Sequence, residues 1–290
     1  MKRRDLLKAT VLGLSALALK PALSSSTKVE HVADVLAALE RRHGGRLGVA
    51  ILDTGTGRQW GHRAEERFLM CSTFKLLAVA AVLARVDRGT EHLDRRIVFD
   101  ESVLLAYAPV TREHAGKPGM TLASLCEAAI TLSDNTAANL LLSSVGGPGA
   151  VTSYVRELGD SITRLDRIEP DLNVGSPGDV RDTTTPHAMV LTMHKLLIGS
   201  VLSSDSRSRL LGWLRGCSTG AEKLRAGLPA EWQVGDKTGS GSHGETNDVA
   251  IIWPPGRKPL LVTSYLAASN GDASQRSAVL AAVGILSATL

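Results

Sequence analysis

Aromatic side chains are scarce in this chain: ten in 290 residues, scattered from Trp60 to Tyr265. So few and so dispersed, they form no stacking surface for a nucleic acid. Cysteine is scarcer, with only Cys71, Cys126 and Cys217, an odd number that leaves at least one free thiol even in an oxidising compartment. No Cys-x-x-Cys occurs and no two of the eight histidines lie within four residues of each other. A local metal-binding cluster is therefore lacking, and neither a metal nor another cofactor is expected.

An excess of charge is also missing from the body of the chain. The formal net charge is +4, from 33 basic and 29 acidic residues, but five of the bases and one of the acids fall within residues 1–26. The rest of the chain is formally neutral, which removes the electrostatic case for a nucleic acid or an anionic membrane as partner. Residues 1–26 read as an export signal: Lys2, Arg3 and Arg4, an apolar run over 9–19 too short for a permanent transmembrane helix, then Pro21, Ala22 and small polar residues. Arg3-Arg4-Asp5-Leu6-Leu7-Lys8 also fits a twin-arginine export motif. Either the general or the twin-arginine route leads out of the cytoplasm, to the periplasm or the medium.

The length permits one large domain or two ordinary ones. Apolar spacing predicts a helix over 29–41, a hairpin of strands 47–52 and 58–63 around a Gly-bearing turn, and a helix over 73–86. That helix is apolar on almost every face, so it must be surrounded by protein. Helical periods come next at 122–130, 137–145, 150–158, 186–197 and 206–215, interrupted by a polar, Pro- and Gly-bearing loop over 168–181 of the kind that carries function. Short β-rich runs at 232–234, 249–253 and 260–265 and a helix over 278–285 close the chain. Strands at both ends with helices between them imply an antiparallel sheet left, interrupted by a helical domain, and then completed.

The chemistry lies in four motifs: Ser72-Thr73-Phe74-Lys75, Ser133-Asp134-Asn135, Glu169-Pro170-Asp171-Leu172-Asn173 and Lys237-Thr238-Gly239. Ser-x-x-Lys alone is weak, since Ser25-Ser26-Thr27-Lys28 matches it by chance, and a capping serine with a surface lysine is its ordinary meaning. Ser72, however, stands where the buried helix starts, so the helix dipole favours negative charge there, and Lys75 returns to the same face. An idle lysine in such apolar surroundings would be costly. Ser133-Asp134-Asn135 by itself reads as an N-cap between two helices. Lys237-Thr238-Gly239 comes after the run 232–234; on a sheet edge it could bind an extended anionic acyl substrate through its backbone, with Gly239 allowing close approach.

Two further patterns compete. Residues 239–244 fit Gly-x-Gly-x-x-Gly, but no helix comes after them to hold a pyrophosphate, so a hairpin turn is the better reading. Residues 216–220 fit Gly-x-Ser-x-Gly around Ser218, with Asp236 and His243 in α/β-hydrolase order. The segment before them is helical in pattern where that motif requires a strand.

Taken together and in this order, the four motifs resemble the class A serine β-lactamases over residues 30–290. The resemblance implies an α/β plus all-α fold: an antiparallel sheet flanked by helices with an inserted helical domain and the active site between them. Residues 27–69 and 216–290 would form the discontinuous α/β part and residues 70–215 the helical part, including an Ω-loop over 167–182. It implies Ser72 as nucleophile, with the backbone N–H groups of Ser72 and Ser240 as oxyanion hole. Lys75, Ser133, Glu169 and Asn173 would complete the catalytic set, with Asn135, Lys237, Thr238, Ser240 and Tyr107 contacting substrate and Arg167 and Asp182 tying the loop. A β-lactam is the implied partner of a monomer without a permanent membrane anchor. A penicillin-binding DD-peptidase would lack the Glu169 loop, and a β-lactam sensor would carry an anchor. The chain departs from many relatives in holding Lys223 and Thr246 where they place an arginine near the carboxylate pocket, and Gly241 and Val79 where some pair a cysteine with the positions of Cys71 and Cys126. Lys223 could supply the pocket charge, without an arginine's planar fork.

Overall fold

The computed structural model describes residues 22–176 and 178–290. The expected export segment lies outside the described residues up to residue 21, and residues 22–26 already belong to the first helix, α1 (Ala22–His43). A hairpin comes next, β1 (Arg46–Asp53) and β2 (Gln59–His62), then the short β3 (Phe68–Leu69) and the helix α2 (Phe74–Asp87). β4 (Arg96–Phe99) and β5 (Gly116–Thr121) form a small ribbon, which leads into α3 (Leu122–Thr131), α4 (Asn135–Val145) and α5 (Pro148–Glu157). After the long loop come β6 (Thr183–Thr184), α6 (Pro186–Leu197) and α7 (Ser204–Arg215). β7 (Gln233–Ser240), β8 (Thr246–Trp253), β9 (Leu260–Ala267) and α8 (Ala273–Ala288) end the chain.

The helices begin where the sequence supplies a cap. Thr121, Asp134, Thr185 and Ser203 each accept a backbone N–H of the first turn of α3, α4, α6 and α7. Asp272 and Gln275 close a reciprocal capping box on α8. Neither ribbon strand is among those the sequence pattern predicts, and β5 reads Gly-Lys-Pro-Gly-Met-Thr, a turn composition. Its Gly119 lies at φ +67°, and a Cβ there would fall 2.1 Å from the Ile97 carbonyl oxygen, so pairing with β4 requires glycine.

The main sheet is antiparallel with strand order β2-β1-β9-β8-β7. Its faces alternate as a two-residue period requires: Leu47, Val49 and Ile51 of β1 pack with Val32 and Leu36 of α1 and Leu280 and Val283 of α8. Ala50 and Leu52 join the other core, built around α2. Leu76, Leu77, Val79, Val82 and Leu83 of α2 are fully buried, which at roughly 2 kcal/mol each gives about 10 kcal/mol of apolar burial. A helix with that reserve can carry one buried ammonium, Lys75, whose desolvation costs several kcal/mol unless it is paired. The antiparallel pairing of β1 with β9 brings the two ends of the chain together, and β7 is left on the sheet edge facing the helices.

Candidate active site

All four motifs converge on one cleft of about 360 Å³, whose walls include Ser72, Ser133, Asn135, Asn173, Thr238 and Ser240. Ser72 sits in a 3₁₀ turn (Cys71–Thr73) that runs directly into α2. Its Oγ donates to Glu169 Oε1 at 3.2 Å, not to Lys75. Lys75 Nζ lies 3.1 Å from the same Glu169 oxygen and donates to the Ser133 carbonyl oxygen (2.7 Å), Asn135 Oδ1 (2.6 Å) and, more weakly, Ser133 Oγ (3.3 Å). Both ionic side chains are completely shielded from solvent. Burial pulls the Lys75 ammonium down from the usual lysine range, and the Glu169 carboxylate works against that pull.

Ser133 Oγ is also bonded by Lys237 Nζ at 3.0 Å, and that ammonium donates to the Thr238 carbonyl oxygen at 2.9 Å. Burial, with repulsion from Lys75 as the next cause, pushes Lys237 down to about 8. Lys237-Thr238-Gly239 lies inside β7, not after it. Gly235, Asp236 and Lys237 are poor strand formers, and the strand continues because β8 pairs with it as far as Ser240↔Thr246.

Glu169 is held by groups remote in sequence. Asn139 of α4 brackets its main chain, donating to the carbonyl oxygen and accepting from the N–H, both at 2.9 Å. Asn173 Nδ2 donates to Glu169 Oε2 at 2.5 Å. The loop ends are tied where expected: Arg167 Nε donates to Asp182 Oδ2 at 2.6 Å, and Asp182 Oδ1 accepts the N–H groups of Asp166 and Arg167. Asp134 caps α4 and takes the N–H groups of Val110 and Thr111 as well, which fixes the segment bearing Tyr107. Tyr107 is half exposed at the cleft, its OH donating to the Leu132 carbonyl oxygen, so it is no core tyrosine.

Lys223 reaches the cleft wall, where Nζ donates to the Thr219 carbonyl oxygen at 3.0 Å, and Thr219 Oγ1 bonds Thr238 Oγ1 at 2.5 Å. Thr246 accepts from Arg276 Nε of α8 at 2.9 Å, so a guanidinium does reach this corner, from an element the motifs never touch. Asn139 and Arg276 gave no local signal, each acting on a residue 30 positions away.

The competing patterns dissolve. Residues 239–244 run from the end of β7 into the β7–β8 turn. Residues 216–220 come after α7, Ser218 Oγ donates to the Thr131 carbonyl oxygen, and Asp236 pairs with Arg225. All three cysteines are free and buried, and a Cβ at Gly241 would stand 3.1 Å from Cys71 Sγ. Among the described residues no group of three or more His, Cys, Asp or Glu is placed to hold a metal ion, and no helix is long and apolar enough to cross a membrane. A larger cavity of about 840 Å³ lies behind the loop, between Arg67, Gly175, Asp179 and His243, and contains none of the four motifs.

This cleft joins a hydroxyl at a helix start, two buried ammonium groups and a loop-borne carboxylate, and the chain that builds it is similar to known proteins along most of its length. The model of the β-lactamase enzyme family matches residues 31–289, and the chain belongs to that family. Among curated relatives, β-lactamase CTX-M-8 of Citrobacter amalonaticus is 50% identical over 247 residues, 85% of this chain and 84% of that protein. β-Lactamase L2 of Stenotrophomonas maltophilia is 51% identical over 249 residues, 86% and 82% of the two chains. Among solved structures, an ancestral (GNCA) class A β-lactamase superposes with a TM-score of 0.87 at 61% identity, covering 88% of this chain and 98% of that one. The putative class A β-lactamase PenP of Rhodopseudomonas palustris gives a TM-score of 0.88 at 53% identity, covering 89% and 99%. Within the family the chain falls in class A, the serine enzymes.

Proposed function

We propose that this protein hydrolyses the amide bond of β-lactam antibiotics through a covalent acyl-enzyme on Ser72, conferring resistance to them. The observation that carries this reading is the unbroken chain of contacts Ser72 Oγ, Glu169 Oε1, Lys75 Nζ, Ser133 Oγ and Lys237 Nζ within one cleft. Ser72 Oγ attacks the lactam carbonyl while its proton passes to a base. Two stand beside it: Glu169, already its hydrogen-bond acceptor, and Lys75, which burial draws toward the neutral form. The N–H groups of Ser72 and Ser240 receive the negative oxygen of the tetrahedral intermediate. As the C–N bond breaks, Ser133, bridged to both ammonium groups, delivers a proton to the leaving nitrogen. Glu169, with Asn173, then deprotonates the water that cleaves the ester and frees Ser72.

Substrate is held by Asn135 at its side-chain amide, by Lys237, Thr238 and Ser240 at its carboxylate, and by Tyr107 at the mouth. Lys223 adds a second cation to the carboxylate end, and Arg276 lends a guanidinium through Thr246, the pairing partner of Ser240. In this reading residues 27–69 with 216–290 form one domain and residues 70–215 the other. Residues 1–26 direct export, and the enzyme acts as a monomer outside the cytoplasm. The test is steady-state hydrolysis of a penicillin, a cephalosporin and a carbapenem by the wild type, Ser72→Ala and Ser218→Ala. Ser72→Ala should fold and lose turnover of every substrate that the wild type cleaves, whereas Ser218→Ala should keep it. The opposite pattern would replace this reading with the α/β-hydrolase one.

A further inference from the structure

The residue before the nucleophile is strained. Cys71 is buried and lies at φ +45°, a backbone region that L side chains rarely adopt, and such strain persists only where the surroundings impose it. Asn247 of β8, 1% exposed, donates its Nδ2 to the carbonyl oxygens of Leu69 (2.9 Å) and Met70 (3.1 Å). Both partners are acceptors, so the amide orientation is set by chemistry. Met70 N–H is fixed from the other side by the Asp182 carbonyl oxygen at 2.9 Å. Directly opposite Asn247 in the β7–β8 ladder is Gly239. A Cβ on Gly239 would lie 2.8 Å from the Met70 oxygen and 3.1 Å from the Ser72 nitrogen, so the turn rests on the bare backbone of β7. Ser240, the other oxyanion donor in our reading, is the next residue on that strand.

We propose that Asn247 is a positioning residue for the oxyanion hole: it clamps the turn that presents Ser72 N–H to the strand pair that presents Ser240 N–H, and so sets the separation of the two donors. The inference rests on the proposed use of those two donors. Asn247 itself need not touch substrate. Because electrostatic stabilisation depends on donors aimed at the developing charge, displacement of one donor by about 1 Å is enough to lower the rate by about 100-fold.

The test places Asn247→Ala and Asn247→Asp in the Glu169→Ala background, where the acyl-enzyme should accumulate, and records the infrared stretch of an isotope-labelled ester carbonyl. Asn247→Asp has nearly the same shape but, when ionised, turns acceptors toward two carbonyl oxygens. With Asn247 present the band should lie below that of the free ester, as two hydrogen bonds require. Either substitution should move the band upward and slow acylation, monitored by stopped flow in the Glu169-containing enzyme, by about 10- to 100-fold, with KM changing less than kcat. Thermal melting verifies folding; should neither variant fold, Asn247→Ser, which retains one donor, takes their place with a partial shift expected. Folded variants with an unmoved band and acylation within twofold of the parent would overturn the role of Asn247. A band at the free-ester frequency with Asn247 present would instead remove the oxyanion-hole reading on which it rests.

Discussion

Glu169→Ala separates the two halves of the proposed reaction, and the structure sets the size of both its effects. The substitution removes the carboxylate that accepts Ser72 Oγ and stands 3.1 Å from Lys75 Nζ, but leaves untouched the bonds from Asn139, which go to the main chain of residue 169. Arg167 and Asp182 still tie the loop, so the cleft should keep its shape. Lys75 is then a buried ammonium without its anion, and it escapes by deprotonation. Roughly 3.5 pH units separate pH 7 from the ordinary lysine value, and at about 1.4 kcal/mol per unit the stability loss is capped near 5 kcal/mol. Breaking buried ion pairs costs about 3–5 kcal/mol, which agrees. The sign is specific: the unfolded chain would bind the proton that folded Lys75 has lost, so stability rises with pH and the cap shrinks to about 2 kcal/mol at pH 9. Neutral Lys75 can still accept the Ser72 proton, so acylation should continue. Deacylation, deprived of its base, should slow by about 10²- to 10⁴-fold. Mass spectrometry after mixing with a penicillin should show the adduct on Ser72, and melting curves should show a smaller deficit from the wild type at pH 9 than at pH 7. Rapid turnover without an adduct would remove Glu169 from its role, and a pH-independent stability deficit would refute the account of Lys75.

Lys237, held at about 8 by burial and by Lys75, should lose its charge as pH rises through that value, so kcat/KM for carboxylate-bearing substrates should fall above about pH 8. Lys237→Arg, permanently charged, should shift or abolish that alkaline limb; an identical limb in both enzymes would show that another group causes it. Lys223→Ala should raise KM more than it lowers kcat if Lys223 binds substrate and transition state alike. An unchanged KM across penicillins and cephalosporins would leave the carboxylate to Lys237, Thr238 and Ser240.

Much of this protein is legible in sequence because much of it is local. A helix needs only a cap and an apolar face, so α3, α4, α6 and α7 start within two residues of where periodicity starts them. An all-apolar helix behind Ser72 already implied a buried Lys75, and the order of the four motifs already implied acyl transfer. What sequence could not determine is whatever depends on a partner remote along the chain. β5 and the far half of β7 are strands only because β4 and β8 pair with them. That Lys75 meets Glu169, that Asn139 brackets the loop, that Arg276 leans on Thr246 and that Asn247 clamps the turn before Ser72 all result from packing between elements 30 to 178 residues apart. The sequence by itself determined which groups are present and which segments are helical, since side-chain chemistry and the 3.6-residue period are properties of neighbours. The tertiary structure decided which groups touch, and with that the downward shift of the Lys75 and Lys237 ammonium groups, because desolvation and Coulomb energy depend on distance and burial and leave no trace in local order.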